Sequence, residues 1–163
     1  MSSVPGLLGV YLNDHHAGSV AGVELARRIA KQNSGNEYGR EMGEIAEEIE
    51  RDRDDLVRIM DRLGVRRKRL RLGAAWLGEK IGRLKPNGRL LGYSPLSRLI
   101  ELEGLVIGIT GKRALWRSLE QLDGADLPID QARIRELIAR AESQRERVER
   151  LRLRAASEAL LQD

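Results

Sequence analysis

Apolar residues recur at helical spacing along four long stretches of the chain, and the breaks between them carry helix start and stop signals. The first stretch runs from about residue 5 to 32, opened by Pro5 and closed by "NSG" at 33–35. The second starts at Asn36, a good N-cap, and reaches Leu63, with Gly64 as its natural C-terminal residue. The third opens at "YSPLS", with Ser94 capping and Pro95 in the first turn, and ends near "LDG" at 122–124. The fourth begins around Asp126 and Pro128 and runs towards the C-terminus. At a helical rise of 1.5 Å per residue each is about 40 Å long. Four rods of matched length predict an all-α bundle formed as one domain over residues 1–163. Short loops pair the first two helices and the last two as antiparallel hairpins. Between the hairpins a crossover of about residues 64–94 contains a short helix-like stretch at 70–84, and it is long enough to travel the length of the bundle.

These features resemble the ferritin-like superfamily, whose two helical hairpins are joined by a long crossover. More narrowly, "YLNDHHAGSVAGVELARRIA", "SPLSRLIELEGLVIGITGKRALW" and the arginine-rich usage are similar to a bacterial group of four-helix proteins with that build. The resemblance covers essentially the whole chain and implies fold rather than activity. Di-iron members of the superfamily supply a Glu from each of two helices and a Glu-x-x-His from each of the other two. The nearest analogues are Glu48 with Arg51 and Glu142 with Arg145, and arginine cannot ligate iron. Neither histidine lies on helix two or four, so no metal ligand is carried over and no cofactor is expected.

Composition narrows the chemistry further. No cysteine is present among the 163 residues, which removes thiolate metal sites, disulfides and cysteine nucleophiles. Charged residues make up 33% and aromatic residues 3%, a profile for helices packed through Leu, Ile, Val and Ala rather than for sheets. The N-terminal apolar run lacks a basic region before it, and no apolar run approaches bilayer length, so the expectation is a cytoplasmic protein. A net charge of +4 permits contact with polyanions without demanding it. "RRKRLR" is the densest charge run. Its Arg66, Arg67, Lys68, Arg69 and Arg71 could meet phosphates, but no base-reading motif or aromatic platform accompanies them, so nucleic acid or a membrane surface is not the expected partner.

Each helix also turns polar residues towards the core. On helix one, Leu8, Tyr11, His15, Ser19, Gly22, Ala26 and Ile29 share one stripe, with His15 at its middle and His16 at its boundary. On helix two, Asp52 and Arg53 interrupt a stripe of Tyr38, Met42, Ile45, Ile49, Leu56, Met60 and Leu63. Asp52 and Arg53 lie about as far after the hairpin turn as His15 lies before it, so an Asp52–His15 hydrogen bond is expected. On helix three, Arg98, Glu101 and Lys112 share a stripe with Leu102, Leu105, Ile109, Trp116 and Leu119; on helix four, Gln144 and Arg145 interrupt one of Ile134, Leu137, Ala141, Val148, Leu151 and Ala155. A plain up-down bundle would bring Glu101 to the level of His15 and Asp52. A crossover that reverses helix three brings Lys112 there instead, and the length of the connection favours it.

The expected charge-balanced cluster is therefore His15, Asp52 and Lys112, with Arg53 a neighbour of His15 and with the inward Arg98, Glu101 and Gln144 elsewhere in the bundle. Its leading role is to fix helix packing in a non-catalytic protein that acts through protein contacts or as a stress-associated scaffold. The competing role is a small-molecule or metal site, in a divergent oxidoreductase, built from His15, Asp52 and a polar residue of helix three. No catalytic residue can be assigned. Glycines 104, 108 and 111, with Ala17, Gly18, Ala21 and Gly22, follow small-residue spacing, for which close helix contact is the expected reason. Helix three is apolar almost all round, and the crossover with Trp76, Leu77 and Ile81 is the expected cover, or a second copy in a homodimer through helix three or the crossover.

Overall fold

The computed structural model describes residues 6–68 and 92–161. Among them the chain forms four helices and no strand: α1 (Gly6–Gln32), α2 (Glu37–Arg62), α3 (Pro95–Glu120) and α4 (Gln131–Leu160). The expected short helix at 70–84, with Arg69, Arg71 and the covering residues Trp76, Leu77 and Ile81, lies outside the described residues.

Local chemistry sets the helix ends. The Asn36 side chain accepts from Gly39 N at 3.1 Å, and Ser94 accepts from Ser97 N at 3.1 Å ahead of Pro95, so both helices start with an orphan N–H satisfied. At the end of α2, Gly64 takes a positive φ of 66°. Val65 N then reaches Met60 O at 2.9 Å and Gly64 N reaches Asp61 O at 3.1 Å, the two bonds of a Schellman ending. The start of α4 differs from the sequence expectation at Asp126 and Pro128. Asp130 is the cap, accepting from Arg133 N at 3.1 Å, and Pro128 stays in the loop between two tight turns at Leu127 and Ile129.

Contacts between helices fix their directions. Tyr11 donates to Ser118 at one end of the bundle, while Arg28 meets Glu101 and Asn33 meets Arg98 at the other, so α3 runs antiparallel to α1. Asp55 with Arg133 and Glu37 with Arg154 make α4 antiparallel to α2 in the same way. The order is up, down, down, up, and the connection after α2 must return from one end of the bundle to the other before α3 begins. The two hairpins pack most closely, α1 against α3 less so, and the backbones of α2 and α4 approach at few points.

The apolar core is split in two. One half gathers Val23, Ile29, Ile45, Ile49, Leu102, Ile109 and Val148, and the other gathers Leu12, Leu56, Met60, Leu115, Leu119, Ile134 and Ala141. On every helix a polar residue marks the gap between the halves: His15 on α1, Asp52 on α2, Lys112 on α3 and Gln144 on α4. Leu96 and Ile107 remain exposed on α3, and none of the described helices is long and apolar enough to cross a membrane.

Candidate functional site

Asp52 is the centre of the polar layer. Its side chain is fully buried, and a carboxylate removed from water needs donors on both oxygens. Lys112 Nζ, arriving from α3, lies 2.5 Å from Oδ2, and Gln144 Nε2 from α4 lies 3.0 Å from the same oxygen. Arg140 Nε holds Oδ1 at 2.6 Å. Lys112 also donates to Gln144 Oε1 at 2.5 Å, so three helices share one closed set of bonds. Burial pulls the Lys112 ammonium below its ordinary range, with Asp52 opposing that pull. The expected meeting of Asp52, Lys112 and the core is thus observed, and Gln144, expected elsewhere, belongs to it too.

The layer continues outward as a ladder between α2 and α4. Arg140 Nη2 and Arg133 Nη2 each stand 2.8 Å from Asp55 Oδ2, Arg58 holds Oδ1 at 2.9 Å, and Arg147 meets Glu48 at 2.7 Å and Glu44 at 3.3 Å. Arg154 closes the ladder on Glu37. Burial pushes Asp55 up, but its arginines more than offset this and leave it below its ordinary value. Arg140, Asp55, Glu48 and Arg147 were missed by the stripe reading, which followed apolar positions. Their signal was present in Arg133, Arg140, Arg147 and Arg154, which repeat at a heptad interval and therefore share one face of α4.

His15 requires a correction. It faces inward as expected, but it makes no hydrogen bond to Asp52 among the described residues, because longer donors from α3 and α4 have taken both carboxylate oxygens. Its ring instead stands edge-on to Tyr11 one turn earlier, with centroids 4.6 Å apart. Burial lowers its pKa, only partly countered by Asp14, so the imidazole is neutral at neutral pH. Arg53 likewise turns away from Asp52, to Glu50 at 3.4 Å and Asp54 at 3.0 Å.

Where His15 and Asp52 do meet is at the wall of a cavity of about 230 Å³ between α1 and α3, closed on the α2 side by Ile49, Leu56 and Asp52. His15, Ser19 and Gly22, the middle of the stripe on α1, all line it, as do Gly104, Gly108, Gly111, Lys112 and Trp116 on α3. Gly18, Gly22, Gly108 and Gly111 do not serve close helix contact, which corrects that expectation for them. A Cβ built on Gly18, Gly22, Gly108 or Gly111 would meet no atom within 4 Å. They hold space open. The walls are mainly apolar, with Leu25, Leu105, Ile109 and Leu115 completing them.

The remaining sequence candidates sit apart. Arg98 and Glu101 belong to the far end of the bundle. There Arg98 Nε donates to the buried Asn33 at 2.7 Å, Nη1 to Glu158 at 3.0 Å, and the guanidinium lies 4.4 Å from the Tyr38 ring centre. Asn33 in turn donates to the Tyr93 hydroxyl at 3.0 Å. Glu101 is buried with Arg28 Nε 2.7 Å away but off hydrogen-bonding alignment, and burial raises its pKa against the pull of Tyr93 and Arg28. Of the basic run, Arg66, Arg67 and Lys68 are exposed, with Arg67 3.7 Å from Asp61. Their backbone is clamped by the buried Asn13, which donates to Arg66 O at 3.1 Å and accepts from Lys68 N at 2.6 Å.

Among the described residues no group of three or more His, Asp or Glu side chains could hold a metal ion. Comparison with protein-family models, curated proteins and solved structures gave no match.

Proposed function

We propose that this chain is a non-catalytic, ferritin-like helical protein that binds a small, mainly apolar molecule between α1 and α3. The up-down-down-up order and the long connection after α2 support the ferritin-like reading. The cavity carries the binding reading: glycine within a helix costs up to about 1 kcal/mol against alanine, and at Gly18, Gly22, Gly108 and Gly111 no close neighbour recovers it. The ionic layer beside the cavity is framework. All three bonds to Asp52 come from the protein itself, and they set the register of α2, α3 and α4 around the open space. This keeps the role of buried charge in packing and adds a ligand site to it.

Trp116 lines the cavity and reports on it. In a Trp76→Phe background, titration with adamantane should change Trp116 emission saturably, and Gly22→Leu or Gly111→Leu, which grow a side chain into the space, should abolish the change. An emission that stays flat in the unfilled protein would defeat the binding reading. A second reading, contact with polyanions through Arg66, Arg67 and Lys68, draws support from the Asn13 clamp that displays them. It requires salt-sensitive binding to duplex DNA that disappears on neutralising the three side chains.

A further inference from the structure

Resting on the binding reading above, we propose that the molecule is uncharged and carries one oxygen acceptor, a carbonyl or ether, which Lys112 meets at the cavity wall. A lysine ammonium has three N–H donors and no acceptor. Among the described residues Lys112 spends one donor on Asp52 and one on Gln144, which leaves one on a side chain that lines the cavity. The Ser19 hydroxyl proton goes to His16 O at 2.7 Å, and Arg53 turns its Nη2 away from the space to Glu50 and Asp54. His15, without a hydrogen-bond partner among the described residues, adds one ring N–H and one acceptor nitrogen on the same wall. Lys112 thus keeps one N–H in hand at the buried end of the space, and an acceptor on the bound molecule answers it.

Charge sets the second half of the inference. The cavity wall carries Asp14, Asp52, Arg53 and Lys112, two of each sign, and the lysine is already neutralised by Asp52. At the buried end of the space a carboxylate would be desolvated beside a lysine already paired with Asp52 and an arginine paired with Glu50 and Asp54, and a cation there would be repelled by Lys112. Size sets the third: a cavity of about 150 Å³ with apolar walls accepts benzene, and this one, at about 230 Å³, suits a compact bicyclic or cage-shaped skeleton.

Three matched probes separate the possibilities in calorimetric titrations of the full chain: adamantane, adamantanone and adamantanecarboxylate. Adamantanone should bind roughly tenfold more tightly than adamantane, the worth of one net hydrogen bond, and the carboxylate more weakly than either. In Lys112→Met the ketone preference should vanish while adamantane binding persists, and should that variant fail to fold, the ranking of the three probes on the unaltered chain decides. Equal binding of adamantane and adamantanone overturns the acceptor while leaving the cavity as a binding site. Tightest binding by the carboxylate overturns neutrality. Binding of none of the three overturns the cavity reading itself and this inference with it.

Discussion

Arg140 bridges Asp52 and Asp55, and its worth lies mostly in what its removal would leave behind. Asp52 is fully buried, so losing one donor strands part of a charge in the core. Arg140→Met should cost about 2 kcal/mol, less than a lone buried pair would, because Lys112 and Gln144 stay on Asp52. Adding Asp52→Leu and Lys112→Met should recover much of that loss in urea unfolding. A triple variant less stable than Arg140→Met by the sum of the added changes would refute the coupling. Glu101 behaves in the opposite sense. Burial raises its folded pKa above the ordinary 4.5, so the folded state holds the proton more tightly than the unfolded one. Stability is therefore lost as pH rises from 4.5 through the folded value, and regained on acidification. Glu101→Gln should raise the melting temperature at neutral pH, with the gain shrinking towards pH 4.5; a gain that grows on acidification would contradict this. At this scale the sequence placed Asp52, Lys112 and Gln144 inward, missed Asp55 and Arg140, and did not show which side chains bond. Periodicity places a Cβ on a face, whereas Lys112 and Arg140 reach Asp52 by the length and bend of their side chains, and His15 is too short to compete.

Helix ends were the most legible elements, since capping depends on neighbours in sequence. Asn36, Ser94 and Gly64 all act as their residue types imply. Pro128 misled because proline fits the first turn of a helix and a loop equally well, and Asp130, two residues on, is the better cap. Glycines divide by surroundings that sequence does not show. At Gly39 a Cβ would collide with the backbone carbonyl of Asn33, an atom held by the turn, so Gly39→Ala should destabilise by about 2 kcal/mol or more. At Gly43 a Cβ meets nothing, and Gly43→Ala should stabilise by about 0.5–1 kcal/mol. Paired thermal melts check both, and a loss at Gly43 or indifference at Gly39 would count against the packing described.

Over the whole molecule, direction follows from the connection after α2. Its length alone favoured the order in which Lys112 reaches Asp52, and that pairing is observed. The split of the core into two apolar halves was less legible: each stripe showed a polar break, but Gln144, expected elsewhere, stands level with Asp52 and Lys112. The open space beside that split was not legible, because small residues at helical spacing permit either a tight crossing or a void, and only coordinates distinguish the two.

That void has a mechanical consequence. Behind the buried side chains of Leu25, Leu105, Ile109 and Trp116 the space is shielded from water, and unfolding hydrates it, so the unfolded molecule occupies less total space and compression favours it. Under hydrostatic pressure the chain should come apart earlier than Gly22→Leu at equal starting stability, with a larger contraction on unfolding. A bundle assembled so firmly from ion pairs would then have its softest response to being squeezed, at the place where its helices leave room.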